Sequence, residues 1–454
     1  MSYNKSKLES FFKTIVEQTT TDGTTVDLNK SQILCGAGSL LEVVHADGRR
    51  FSGALESESG PTLYIQPLGR RAKVDFVNEC IKDRELAMKV GSQAIFNRID
   101  ALIKALFKSS SDSLPKIDYA SIVKQDILKY LRNEIQTWKV RVPIAKLNIK
   151  KEFHIGSVKF VPFQSGIVSN ATMILNYQGP EGENVEPVKS SMLGLAAEIA
   201  ATGSAWAETE VSSHASRIKF AAIDQIELAI NSLRSFTHVF HGRTLKAAFG
   251  LPYEIVDGRT GFLSVSDKGF QIDWDQRGPL ANFELSDEVL GRLNAEFEFE
   301  KLSQIAGADF ESLNSLERAV QVSIRWLGRS IVAPTTTDAF TLCAITMERL
   351  LICDGESTTT ETLSDRTAFL IGSSPDSRAA VHRAVKRLYD IRSKIVHAGY
   401  EGVEIPQLIE IENLALLTLR EILKLSKTLT SHEDLKAMLL QTKFGLQDGV
   451  GKEK

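Results

Sequence analysis

An arginine and a histidine stand five residues apart in Arg392-Ser393-Lys394-Ile395-Val396-His397. A guanidinium holds a phosphate with donors in a fixed fork, and an imidazole moves a proton near neutral pH. The two suit metal-free cleavage of RNA by its own 2′-hydroxyl. That reaction needs a proton removed from the hydroxyl, a proton delivered to the leaving 5′-oxygen, and stabilisation of the extra charge on phosphorus. A competing reading needs no chemistry: Arg392 makes a salt bridge with Asp390 or Glu348, and His397 caps the last carbonyls of a helix.

The element that must position the pair is a helix. Ser374 is a good N-cap, Pro375 suits the first helical position and Asp376 favours the positive end of the helix dipole. Apolar residues recur at Val381, Ala384, Val385, Leu388, Ile391 and Ile395 with helical spacing, and Gly399 supplies a stop. A second row, His382, Lys386, Tyr389, Ser393 and His397, reads as a polar stripe ending at the histidine. Five residues of ideal helix turn through about 140°. Arg392 and His397 of one regular helix therefore cannot share a phosphate, so either the last turn unwinds or a second copy completes the site. A two-fold dimer, setting two Arg/His pairs around one cleft, is the expectation.

The run Leu388-Tyr389-Asp390-Ile391-Arg392-Ser393-Lys394-Ile395-Val396-His397 resembles the signature of HEPN domains, and residues 340–351 are similar to the preceding helix of the ApeA-like branch. Residues 409–425, followed by Ser431-His432-Glu433-Asp434-Leu435, look like the closing helices; the resemblance covers roughly 313–444. It implies a bundle of four to five helices that dimerises and, in many members, cuts RNA without metal or cofactor, leaving 2′,3′-cyclic phosphate ends. Carried over, Arg392 and His397 take the catalytic positions, Ser393 the polar position after the arginine and Glu348 the acidic position on the preceding helix. Serine departs from the Asn, Asp or His often found there, keeping hydrogen bonding without a second charge. The ApeA-like resemblance further implies a toxin-like endoribonuclease of anti-phage defence, acting on host or viral RNA such as tRNA. The remaining chain would restrain it until a phage component, partner protein or nucleotide arrives. Two rivals stand beside this reading: a non-catalytic HEPN scaffold for dimerisation or partner binding, and a HEPN toxin silenced by a modifying enzyme at Tyr389 or Tyr400.

With 454 residues, 43% hydrophobic and 24% charged, the chain is an ordinary globular one with room for two or three domains. A net charge of −3 gives no global pull on nucleic acid, so RNA binding needs a local basic patch. Arg378, Arg383, Lys386, Arg387, Arg392 and Lys394 supply one, with Arg383, Lys386, Arg387 and Lys394 the candidate RNA contacts. Cys35, Cys80, Cys343 and Cys353 lack paired spacing, which points to reduced thiols in the cytoplasm; no metal cluster shows in the spacing. The start has no signal-peptide core, and the apolar stretch 193–207 is interrupted by Glu198, so no membrane span is expected.

The expected fold class is α+β: a mixed α and β region over 1–285, with a break near 109–140, then an all-helical HEPN-like bundle over 286–444 and a disordered tail at 445–454. In the first region the patterns give helices over 7–17, 92–107, 120–138 and 214–236. Strands are expected over 33–45 and 51–55 around Asp47-Gly48, over 140–163 with a turn at Gly156-Ser157, and over 262–274 around Asp267-Lys268-Gly269. Trp206 to Glu210 alternates as an edge strand would. His238 and His241 would face apart on a strand, and Cys35-Gly36-Ala37-Gly38 lacks the lysine of a phosphate-binding loop.

Overall fold

The protein is described here from a computed structural model covering residues 3–21, 32–35, 41–44, 50–51, 54–55, 63–65, 67–108, 117–175, 185–201, 203–241, 248–255, 258–266, 269–277, 282–353, 355–356 and 359–445. The fold is α+β, with small, mostly antiparallel sheets in the first part of the chain and helices thereafter. Two compact units divide it: residues 1–140 with 210–223, and residues 141–209 with 224–454. This division does not fall at residue 285, because strand Phe283–Leu285 pairs in parallel with Leu147–Ile149. Likewise, Gly156 N–H donates to Ser303 Oγ at 2.9 Å.

In the first unit, helices Lys5–Glu17, Pro67–Cys80 and Gly91–Lys108 bury Leu8, Phe12, Phe76, Ile95 and Ile99 against one another. The expected helix over 120–138 ends early. Helical turns run to Asn133, and Gln136–Ile144, which holds Trp138, is a strand. β-branched Thr137, Val140 and Val142 favour the pleated conformation there. The strands Gln32–Cys35, Leu41–Val44 and Arg50–Phe51 form an antiparallel sheet, while Asp47-Gly48 and Gly36 to Gly38 lie outside the described residues.

In the second unit, Phe153–Ile155 and Val158–Pro162 pair around Gly156, whose φ of 57° suits the turn expected there. Strand Ala205–Ser213 is not an edge: it lies between Gln136–Ile144 and Val158–Pro162 in the sheet. Pairing on both sides leaves its buried carboxylate, Glu208, to be neutralised by Arg141. His238 stands on the short helix Thr237–His241 rather than a strand, and its Nδ1 meets Glu412 Oε1 at 2.5 Å. The hairpin Gly258–Ser266 with Gly269–Arg277 forms as read, its Asp267-Lys268 turn lying outside the described residues, as do 446–454 of the tail.

After helices Asp287–Phe297 and Phe299–Gly307, six more follow among the described residues: Ser315–Ser330, Thr336–Leu351, Thr360–Ile371, Pro375–Ala398, Ile405–Leu425 and His432–Lys443. Five open on a side-chain cap, from Asn314, Thr335, Thr359, Ser374 and Ser431, each worth about 1 kcal/mol. Their inner faces bury Ile324, Leu327, Phe340, Ala344, Met347, Leu363, Leu388, Ile411 and Leu419. Gly328 lets the Ser315–Ser330 helix approach Asn231 of the Ile218–Arg234 helix so closely that a Cβ would sit 2.5 Å from the Asn231 Cα. No helix among the described residues is long and apolar enough to cross a membrane.

One carboxylate ties the far side of this bundle. Glu356 accepts from Arg366 Nη1 at 2.8 Å and Nη2 at 2.7 Å, and from Lys436 Nζ at 3.1 Å. Hydrogen bonds from Arg366 hold its carboxyl down to about 2, against an ordinary 4.5. A depressed carboxylate contributes stability that is whole above its ordinary value and is lost as pH falls through the depressed one. Glu356→Gln is therefore expected to cost about 2 kcal/mol near neutral pH. In denaturant melts the gap from the parent protein should close as pH is lowered from 4.5 towards 2; a gap independent of pH would dissociate it from this ion pair.

Candidate functional site

The motif helix Pro375–Ala398 forms as its ends dictate. Ser374 and Ser377 cap each other reciprocally, at 3.2 Å and 2.9 Å, and Pro375 occupies the first turn. At the other end Gly399 takes the left-handed conformation, φ 63° and ψ 33°. Helix continues to Ala398, so the last turn does not unwind around His397. Arg392 and His397 accordingly point apart by about 140°, separated by about 7.5 Å along the axis.

Arg392 turns inward against the preceding helix. Its Nη2 lies 3.1 Å from Glu348 Oε1 and 3.5 Å from Oε2, in a half-buried pair. Its Nε is buried, with no hydrogen-bond partner among the described residues. The salt bridge weighed from sequence is thus present, while Asp390 is exposed and does not hold Arg392. His397 and Ser393 are exposed, and among the described residues neither side chain has a hydrogen-bond partner.

Tyr389 does not belong to the polar stripe. It lies four residues after Val385 and beside Leu388, the other buried positions of the helix, so it faces inward and donates its hydroxyl to Ala344 O at 3.0 Å. Burial, with Glu348 nearby, pushes its hydroxyl well above the ordinary tyrosine range. Only Val385, Leu388 and Tyr389 of this helix are buried. Val396 stays half-exposed beside His397, and Tyr400, Ile405 and Ile409 extend exposed apolar surface onto the next turn and helix.

The basic patch is partly neutralised. Lys386 Nζ donates to Glu361 at 2.8 Å and Arg387 pairs with Glu410, while Arg378 Nε donates to Gly372 O at 3.1 Å. Of the four candidate RNA contacts, Arg383 and Lys394 are exposed without an ion-pair partner among the described residues. Exposed pairs such as Lys386–Glu361 are weak, being screened by solvent and salt, and exchange readily for a phosphate. One constellation went unseen in the sequence: Glu361, Asp365 and His382 come together, although no metal cluster showed in the spacing. The two carboxylates one turn apart were the signal, but the histidine comes from another helix.

No family model, curated protein or solved structure matches the chain.

The burial difference between the two tyrosines is directly measurable. Tetranitromethane should nitrate Tyr400 in the folded protein and reach Tyr389 only after denaturation, as read by peptide mass spectrometry. Nitration of Tyr389 at native conditions would contradict its placement.

Proposed function

We propose that the chain is a metal-independent endoribonuclease of the HEPN type, working as a two-fold dimer in anti-phage defence. One observation carries the reading. The last two turns of one unbroken helix carry a half-buried guanidinium held by one carboxylate, and an exposed imidazole that stands free of partners among the described residues. A regular helix points them apart, so a working site takes groups from two copies. The exposed Val396, Ile405 and Ile409 on the same two helices offer apolar surface for that contact.

In the cleft so formed, one His397 imidazole takes the proton of the ribose 2′-hydroxyl. The 2′-oxygen bonds to phosphorus as the bond to the 5′-oxygen breaks. The second imidazole, protonated, delivers a proton to that leaving oxygen. The products are a 2′,3′-cyclic phosphate and a 5′-hydroxyl. Arg392 stabilises the charge gathered on the phosphoryl oxygens, with Glu348 as the positioning residue that fixes its guanidinium. Ser393 has hydrogen-bonding capacity for the sugar-phosphate backbone, and Arg383 and Lys394, then Lys386 and Arg387 by exchange of partners, bind flanking phosphates. The first unit is the candidate sensor of a phage-derived or protein trigger. The Arg392–Glu348 ion pair favours one alternative, a non-catalytic HEPN scaffold in which the pair serves packing alone.

Arg392→Ala and His397→Ala are each expected to lower cleavage of total RNA by at least about 10²-fold without unfolding the protein, and the parent activity should survive EDTA. Because both His397 imidazoles serve one cleft, a tenfold excess of His397→Ala, after subunit exchange, should lower cleavage by the parent protein about tenfold. Full cleavage by either variant would end the assignment; parent cleavage unmoved by exchange with His397→Ala would place the site within one copy. Parent protein that leaves RNA intact, even with phage lysate added, would favour the scaffold.

A further inference from the structure

At the opposite end of the motif helix, three side chains with available lone pairs converge. Glu361 and Asp365 stand one turn apart on Thr360–Ile371, and His382 faces them from Pro375–Ala398. His382 Nε2 lies 3.4 Å from Glu361 Oε1 and 3.5 Å from Asp365 Oδ1, and one donor atom from each residue falls within 4.8 Å of the others. A charge-assisted hydrogen bond would be shorter, about 2.7–2.9 Å. Two ligands each about 2.0–2.2 Å from one tetrahedral ion, however, stand about 3.3–3.6 Å apart. The separations fit ligands around an ion better than a histidine bonded to carboxylates.

The outer oxygens of the two carboxylates are held separately. Glu361 Oε2 accepts from Lys386 Nζ at 2.8 Å, and Asp365 Oδ2 accepts from Lys443 Nζ. Each acid is thereby anchored through one oxygen and presents the other to His382, which is how outer-shell partners orient metal ligands. The two ammonium groups also weaken the local negative field, so affinity should be modest.

We propose that Glu361, Asp365 and His382 bind one divalent transition-metal ion of the zinc class. One imidazole and two carboxylates suit zinc, cobalt or manganese and disfavour the thiolate-seeking ions. The remaining coordination positions go to water, and the ion clamps the Thr360–Ile371 helix to the motif helix. His382 precedes Arg392 by ten residues, about 15 Å of helix. The ion therefore fixes the helix and does not touch a phosphate held at Arg392. The proposal is independent of the nuclease reading, and its test reads binding rather than cleavage.

Full-length protein stripped with chelator and moved to metal-free buffer is titrated with zinc chloride by calorimetry, and with cobalt chloride by visible absorption. The expected result is one ion per chain, a Kd on the order of ten micromolar, and a rise in Tm on loading. His382→Ala and Asp365→Asn should each weaken zinc binding at least tenfold. Both variants, metal-free, should melt within about 2 °C of the metal-free parent, since the substituted groups are partly exposed. No binding below millimolar zinc would overturn the proposal. So would zinc binding of unchanged stoichiometry and affinity in His382→Ala, which would place the ion elsewhere on the chain. Loss of binding accompanied by a collapsed metal-free melt in both variants would reassign the cluster to folding alone.

Discussion

An α-helix advances about 100° per residue, and that single constraint governs what the motif can do. Pro375–Ala398 runs without a break from a reciprocal serine cap to a left-handed glycine, so its side chains have no latitude in direction. Arg392 is turned against Glu348 and His397 into solvent. Because Gly399 ends the helix only after His397, the two side chains of one chain stay on different faces of the helix. Glu348 then costs little as a partner. It restrains one nitrogen of a guanidinium whose other two nitrogens carry three further N–H donors.

The charges around the motif obey a second rule, that a cation brought near a bundle is met by an acid from the neighbouring helix. Glu348, Glu361 and Glu410 each answer one cation of the motif helix. The near-neutral total thus arises locally, pair by pair, rather than from separate acidic and basic regions. A polyanion approaching this face would meet the open charge of Arg383 and Lys394 and compete with carboxylates for Lys386 and Arg387, which would make its affinity strongly dependent on ionic strength.

Local signals were legible in the sequence and long-range ones were not. Ser374, Pro375 and Gly399 act on backbone groups within four residues, and each stands where the pattern put it. The turn at Gly156 and the paired strands Gly258–Ser266 and Gly269–Arg277 were readable for the same reason. Tyr389 was misplaced because its hydroxyl suggested water, whereas its spacing from Val385 carried it inward to Ala344. The inner position of Ala205–Ser213 depends on which strands flank it, a matter of topology that alternation cannot express. The meeting of Glu361 and Asp365 with His382 depends on how one helix is rotated against the next. Glu356 and Glu412 were silent in sequence because their arginine, lysine and histidine partners lie at distances set by folding alone.

The close approach at Gly328 carries an implication for heredity and engineering. The helices that hold the motif lean on Asn231 there, on Asp224 through Arg325 and on Glu227 through Arg329. Phe283–Leu285 is likewise stitched to a strand more than a hundred residues upstream. Such a body is not a cassette: cut at residue 285, it leaves behind its own scaffolding. Recombination could carry this module between genes intact only by transferring the upstream strands and the Asn231 helix with it, so residues upstream of 285 would travel as an obligate part of the module rather than as an exchangeable one.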